Sequence, residues 1–242
     1  HFFCVSTDKA ANPVNIMGAS KKLMEELIMA YSGKLKITTA RFANVAFSNG
    51  SLPLGFLERL NKKQPLSCPL GIRRFFVSPQ ESGELCLLAS VLGESGDIIF
   101  PKLDENRDMI SFDVIARDLL KYLGQEADVC NTEKEAREKA LLLDENSKSY
   151  PVYFFETDTS GEKPYEEFYT ADEVIDNDRF FNLGVIKNAL VREFQEIDVV
   201  FQRLRTLFES GSVTKAEVVD ILKSWLPNFE HIEKGKGLDS KM

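Results

Sequence analysis

Val5-Ser6-Thr7-Asp8-Lys9-Ala10, followed by Asn12-Pro13 and then by Met17-Gly18-Ala19-Ser20-Lys21, is the stretch from which the fold is read. Phe2 to Val5 make a short apolar run suited to a buried strand, and Asn12-Pro13 breaks the chain before a helical pattern that begins near Ile16. In an open α/β sheet, ligands sit beyond the carboxyl ends of the strands. Ser6, Thr7, Asp8 and Lys9 fall at that end, and a spacing of four places Met17 and Lys21 on one face of the helix. An acid, two amines and a hydroxyl therefore stand together, and the stretch reads as half of an active site. Taken alone, Asp8 and Lys9 also fit a capped turn, and Lys21-Lys22 a solvated pair.

Outward from this segment, residues 1 to about 125 alternate short apolar strands with helical stretches. Strands are predicted at Phe2–Val5, Lys36–Ala40 and Asp97–Phe100, and helices at Ile16–Ser32, Pro53–Asn61, Gln80–Leu92 and Ser111–Leu123. The pattern is α/β. One more strand and helix are expected from Asp128 to Leu143, ahead of a polar boundary at Asp144-Glu145-Asn146-Ser147. Residues 148–242 read as an extension. Val152-Tyr153-Phe154-Phe155 and Tyr165-Glu166-Glu167-Phe168-Tyr169, flanking Asp158-Thr159-Ser160-Gly161-Glu162, predict two strands joined by a glycine turn.

Two helices are expected after that hairpin. Ile186, Leu190, Phe194, Ile197, Phe201, Leu204 and Phe208 recur at spacings of three and four, one stripe along a helix of about six turns. Ser210-Gly211-Ser212 stops it, and Thr214 with Glu217 forms a capping box for a second helix that ends near Trp225-Leu226-Pro227. The stripe has two readings, packing on the chain's own core or a subunit interface, and a homo-oligomer is expected.

Composition narrows the partners. A net charge of −8 and a pI near 5.0 exclude a broad basic face for nucleic acid. No run approaches the roughly 18 apolar residues of a membrane span. Cys4, Cys68, Cys86 and Cys130 are scattered with no Cys-x-x-Cys pair, and His1 and His231 lie near opposite ends of the chain. Neither zinc nor disulfides are expected, and free thiols agree with a cytoplasmic protein. Lys9, Arg41, Arg73, Arg74 and Lys102 are the candidates for a local pyrophosphate pocket.

The opening segment resembles the catalytic region of the extended short-chain dehydrogenase/reductases, specifically the nucleotide-sugar 4,6-dehydratases that act on UDP-N-acetylglucosamine. Three further segments follow in order. Arg41-Phe42-Ala43-Asn44-Val45 with Ser48-Asn49-Gly50-Ser51 is similar to that family's substrate segment, Arg74-Phe75-Phe76-Val77-Ser78 to its arginine-aromatic segment, and Ile99-Phe100-Pro101-Lys102 to the strand closing its nucleotide pocket. Met17 stands where the family's catalytic tyrosine belongs. A thioether gives up no proton, so either another group, Asp8 or a water held by Thr7, serves as the first base or the polypeptide is inactive.

The resemblance implies a Rossmann-like α/β fold with a substrate subdomain, residues 1–147 forming its catalytic and substrate-binding portion. It implies NAD or NADP, a UDP-sugar substrate, internal redox and loss of water. Asp8 is then the acid and Lys9 the base, Thr7 holds the reacting hydroxyl, and Met17 and Lys21 complete the catalytic set. Ser6, Asn15 and Lys21 face the cofactor, and Arg41, Asn44, Gly50, Ser51, Arg74 and Lys102 face the substrate. No Gly-x-Gly-x-x-Gly occurs among the 14 glycines. The cofactor-binding half is expected upstream in a longer enzyme, and the fragment alone is expected to be inactive. A nucleotide-sugar epimerase and a non-catalytic sugar-nucleotide-binding or assembly subunit are the alternatives.

Overall fold

The computed structural model describes residues 1–144, 146–157, 162–187, 189–231 and 233. Strand β1 (Phe2–Thr7) runs into a single 3-10 turn at Asp8–Ala10, and helix α1 (Ile16–Met29) follows. Next come β2 (Ile37–Phe42), β3 (Asn44–Val45), α2 (Leu52–Asn61), β4 (Leu66–Leu70), β5 (Arg73–Val77) and α3 (Pro79–Leu92). β6 (Asp97–Pro101), α4 (Glu105–Asp108), β7 (Met109–Ser111), α5 (Phe112–Tyr122), β8 (Glu126–Cys130) and α6 (Glu133–Ala140) complete an α/β run in which the sequence reading found β1, β2, β6, β8 and every helix but α4, and missed β3, β4, β5 and β7. β9 (Ser149–Glu156), β10 (Ile175–Asp176), β11 (Leu183–Ile186), α7 (Phe194–Glu209) and α8 (Lys215–Trp225) make up the remainder.

Three sheets organise these elements. The largest has the order β1-β2-β6-β11-β10, with β1, β2 and β6 parallel and the last two strands antiparallel. β2 is buried along its whole length, as a strand flanked on both edges and covered on both faces must be. A second sheet, β3-β5-β7, sets Asn44 beside Phe76. The third, β4-β9-β8, is parallel throughout. Phe56 of α2 and Ala116 and Leu120 of α5 pack with Leu66, Cys68 and Val152 into its core.

The predicted hairpin does not form. Val152 to Phe155 do lie in a strand, β9, but its partners are β4 and β8, both parallel to it. Tyr165 to Tyr169 are irregular, and Phe168 is buried in the core of the large sheet, stacked 5.2 Å from Phe75. The turn expected at 158–161 lies outside the described residues. An apolar run announces a strand without naming its partners, and one of the two here, β4, is more than eighty residues away in sequence.

The long apolar stripe is also shorter than predicted. Ile186 belongs to β11 and is buried opposite Ile98, and α7 begins only at Phe194. Val200 of α7 and Val219, Leu222 and Leu226 of α8 and its end pack on Ala19 and Leu23 of α1. The expected capping box is present, with Thr214 accepting from the Glu217 amide and the Glu217 carboxylate accepting from the Thr214 amide. Glu26 ties this layer to α1 by accepting from Trp225 Nε1 at 2.7 Å and from Arg192 Nε at 3.0 Å. No helix among the described residues is long and apolar enough to cross a membrane.

Candidate active site

The end of β1 delivers Thr7 and Asp8 to a turn that caps itself. The Thr7 hydroxyl donates to Asp8 Oδ1 at 2.8 Å, and the Lys9 amide donates to the same oxygen at 2.9 Å. Lys9 Nζ closes the group, 3.0 Å from Asp8 Oδ1 and 3.5 Å from Asn44 Oδ1. Asn44 is held in turn by its Nδ2, which donates to the Phe75 carbonyl at 3.2 Å. Asp8 is 1% exposed and its second oxygen, Oδ2, is buried with no hydrogen-bond partner among the described residues. Buried polar atoms are ordinarily satisfied, so an orphan beside an ammonium makes this turn a candidate site for receiving a group or moving a proton.

Gly18 lets α1 approach this turn. A Cβ there would lie 2.6 Å from the Lys9 carbonyl oxygen and 3.2 Å from Pro13 Cβ. Asn15 caps the helix by accepting from the Gly18 amide at 2.8 Å. Met17 follows in the first turn, 48% exposed, and Lys21 lies one turn on, partly exposed and without an ion-pair partner among the described residues.

A cavity of about 260 Å³ opens in front of Lys9 and Asn44. Gly50, Ser51, Arg74, Phe76, Phe112 and Glu162 are among its walls. Gly50 has φ +76°, a left-handed turn that glycine adopts freely, and Ser51 caps α2 by accepting from Leu54 N. A second cavity of about 180 Å³ shares Gly50, Ser51, Leu52 and Ser67 and carries Arg59 and Lys62 on its far side. The two cavities adjoin at the residues they share.

Arg74 is buried, yet it reaches the cavity wall. Its Nη1 donates to the carbonyls of Arg73 at 2.8 Å, Lys163 at 3.1 Å and Pro164 at 3.2 Å, and its Nη2 stands 3.8 Å from Glu166 Oε1. Glu166 escaped the sequence reading. It is 5% exposed, burial pushes its carboxyl up, and neighbouring Asp8 pushes the same way against Lys9, Arg74 and Lys163. Its one signal in the sequence is a pair of carboxylates between Tyr165 and Phe168, an aromatic setting that favours burial.

Three expected site residues are placed elsewhere. Arg41 is fully buried, its Nε and Nη2 donating to Glu25 at 2.9 and 2.8 Å, its Nη1 and Nη2 to Glu173 at 2.8 Å, and its Nη1 also to the Phe168 carbonyl. Burial disfavours that charge, but the two carboxylates outweigh it and hold the guanidinium protonated. Arg41 is thus engaged within the fold by two carboxylates and a carbonyl. Ser6 belongs to the same network, donating to Glu25 Oε1 at 2.6 Å. Lys102 donates to the carbonyls of Asn177, Phe180 and Phe181 and fastens that loop, beside a different cavity. Its ammonium is committed to main chain, away from the cleft.

Residues 1–187 match the polysaccharide biosynthesis protein family. The chain belongs to that family. Relatives of this polysaccharide biosynthesis protein include the capsular polysaccharide biosynthesis protein CapD of Staphylococcus aureus, 27% identical over 72% of the chain and 26% of CapD. Another is the UDP-glucose 4-epimerase of Rickettsia rickettsii, 30% identical over 70% of the chain and 43% of the epimerase. The chain spans about half the length, or less, of the curated relatives it matches. The crystal structure of Pen from Bacillus thuringiensis shares the fold, with a TM-score of 0.58 at 22% identity, over 80% of this chain and 53% of that one. The α/β architecture of this family member is therefore one it shares with Pen, of which it spans a part.

Proposed function

We propose that this chain carries the elimination and substrate-binding machinery of a nucleotide-sugar 4,6-dehydratase, with UDP-N-acetylglucosamine as substrate. The observation that supports it is the Asp8-Lys9 contact of 3.0 Å, set beside a cleft and backed by a buried carboxylate oxygen with no partner among the described residues. Passing the ammonium proton across that contact yields a neutral amine and a carboxylic acid. Elimination requires that pair, since Lys9 then removes the proton from carbon 5, acidified by a ketone at carbon 4, while Asp8 protonates the hydroxyl leaving carbon 6. Thr7, already fixed on Asp8 Oδ1, orients the hydroxyl of carbon 4. Arg74 meets the diphosphate, Asn44 and Ser51 the sugar and its linkage, and the arm of the cleft beside Arg59 and Lys62 takes the nucleoside end.

NAD or NADP would supply a hydride acceptor at carbon 4 and return the hydride at carbon 6. The residues present fit it in part. Lys21 offers a partly exposed ammonium for a ribose, whereas a glycine loop at a helix N-terminus does not occur in the sequence. β1 pairs along one edge only, with β2, and the outer face of α3 exposes Leu87, Leu88, Val91 and Leu92. An open parallel edge beside an apolar helix suits a further βαβ portion, and we place the cofactor's pyrophosphate there. The active protein is proposed to act as a homo-oligomer in the cytoplasm.

Epimerisation is the second reading, favoured by the Rickettsia relative. It returns hydride to carbon 4 and has no use for an acid-base pair that expels water. Turnover in deuterium oxide separates the two. With NAD+ and the complete reading frame, dehydration leaves one solvent deuterium at carbon 5 of a 4-keto-6-deoxy product, and an epimer with no deuterium at carbon 5 would overturn the assignment.

A further inference from the structure

Glu166 takes no part in the elimination, yet it is buried beside Arg74, which lines the cavity. The charged groups that bear on it are Arg74 from β5, Asp8 and Lys9 from the turn after β1, and Lys163 from its own segment. Arg74 is its nearest cation, and the geometry of that pair is unusual. Three carbonyls pin the Arg74 Nη1, two of them, Lys163 and Pro164, from the segment that carries Glu166. Cation and carboxylate are thereby carried on one framework, but at 3.8 Å they stand well beyond the 2.7–2.9 Å of a direct charge-assisted hydrogen bond. A loose pair leaves Arg74 open to a better anion.

A diphosphate is that better anion. Its arrival would draw the Arg74 charge away and add negative charge nearby, leaving Glu166 a buried carboxylate close to Asp8. An uncompensated buried charge is costly, and a carboxyl escapes the cost by binding a proton. Burial and Asp8 already push Glu166 in that direction.

Resting on the nucleotide-sugar reading above, we propose that Glu166 is the positioning residue of the anion site, ion-paired with Arg74 in the absence of ligand and protonated when a sugar-nucleotide diphosphate engages Arg74. Binding and proton uptake are then linked, so affinity rises as pH falls.

The test is titration calorimetry of the full chain with UDP-N-acetylglucosamine, without NAD+, between pH 6 and 8 in buffers of different ionisation enthalpy. The diphosphate diester itself does not titrate in that range. Net proton uptake on binding, at most one per ligand, with affinity gaining up to about tenfold per pH unit on acidification, is expected for the wild type. Glu166→Gln, a permanent stand-in for the protonated form, is expected to bind with no uptake and little pH dependence. Binding without uptake in the wild type, or uptake that persists in folded Glu166→Gln, overturns the proposal and leaves the nucleotide-sugar reading intact. Absence of any binding overturns both. If Glu166→Gln does not fold, carboxyl-labelled NMR of the wild type decides: one glutamate moving to its acid form on ligand addition supports the proposal, and no such glutamate refutes it.

Discussion

Lys9 Nζ lies 3.0 Å from Asp8 Oδ1, and the other oxygen of the same carboxylate is buried without a partner among the described residues. The oxygen that holds the ammonium also accepts from the Thr7 hydroxyl and the Lys9 amide, so the carboxylate is fixed with Oδ1 turned to Lys9. Asp8→Asn and Lys9→Met are each expected to reduce water loss by about 10²–10⁴-fold, the range of general acid-base catalysis. UDP-N-acetylglucosamine affinity should change only a few fold, because Arg74 and the α2 end of the cleft do the holding. Product analysis alongside calorimetry checks both halves of this expectation.

Gly18 tests positioning without touching a reacting group. Alanine at this position sets a methyl carbon 2.6 Å from the Lys9 carbonyl oxygen, and both are backbone-bound, so either α1 or the Asp8–Ala10 turn must move. Gly18→Ala is expected to lower kcat by about 10–100-fold with KM little changed, the signature of displaced catalytic groups. Its helix propensity improves, so a loss of activity at equal or higher Tm separates displacement from unfolding.

Arg41 is predicted to govern stability and its pH dependence. Removing it in Arg41→Met leaves Glu25 and Glu173 facing each other without their cation, at a cost of about 3–5 kcal/mol in chemical denaturation. In the wild type, burial works to raise both carboxyls, but Arg41 and Lys22 outweigh it and hold them below the usual range. A depressed native pKa means the unfolded chain binds protons more readily. The stabilisation is therefore complete above the ordinary glutamate value of about 4.3 and is lost as pH falls through and below it. Tm should drop steeply on acidification from about pH 5 to pH 3, and less steeply in Glu25→Gln.

The C-terminal helices are expected to be integral to the core. Leu222 is buried against the α1 face that includes Ala19 and Leu23, so Leu222→Ala should cost about 2–5 kcal/mol. Denaturant unfolding followed by Trp225 fluorescence reads that loss directly, since Trp225 lies in the same layer.

The helices of the first 140 residues, α4 apart, and the strands β1, β2, β6 and β8 were legible because each announces itself locally. Asn15, Ser51 and Ser78 cap their helices, and Phe2 to Val5 and Asp97 to Phe100 are short apolar runs. What failed was pairing over distance. Val152 to Phe155 signal a strand but carry no mark of β4 and β8, and Ile186 continues a helical spacing by coincidence while its side chain fills the strand core. The site divided in the same way. Thr7, Asp8 and Lys9 are consecutive, so their convergence was readable, and Asn44, Gly50, Ser51 and Arg74 do face one cleft with Lys9. Arg41 looked like a ligand-binding cation because its partner Glu173 lies 132 residues on, and Glu166 was invisible because only the folded chain brings it to Arg74.

The central claim is water loss at Asp8 and Lys9, and mass spectrometry of UDP-N-acetylglucosamine recovered after incubation with the complete enzyme and NAD+ tests it most directly. The account predicts a sugar nucleotide lighter by one water, without net NADH, and no such product from Lys9→Met. An unchanged mass with an inverted carbon 4 would contradict it and make the protein an epimerase.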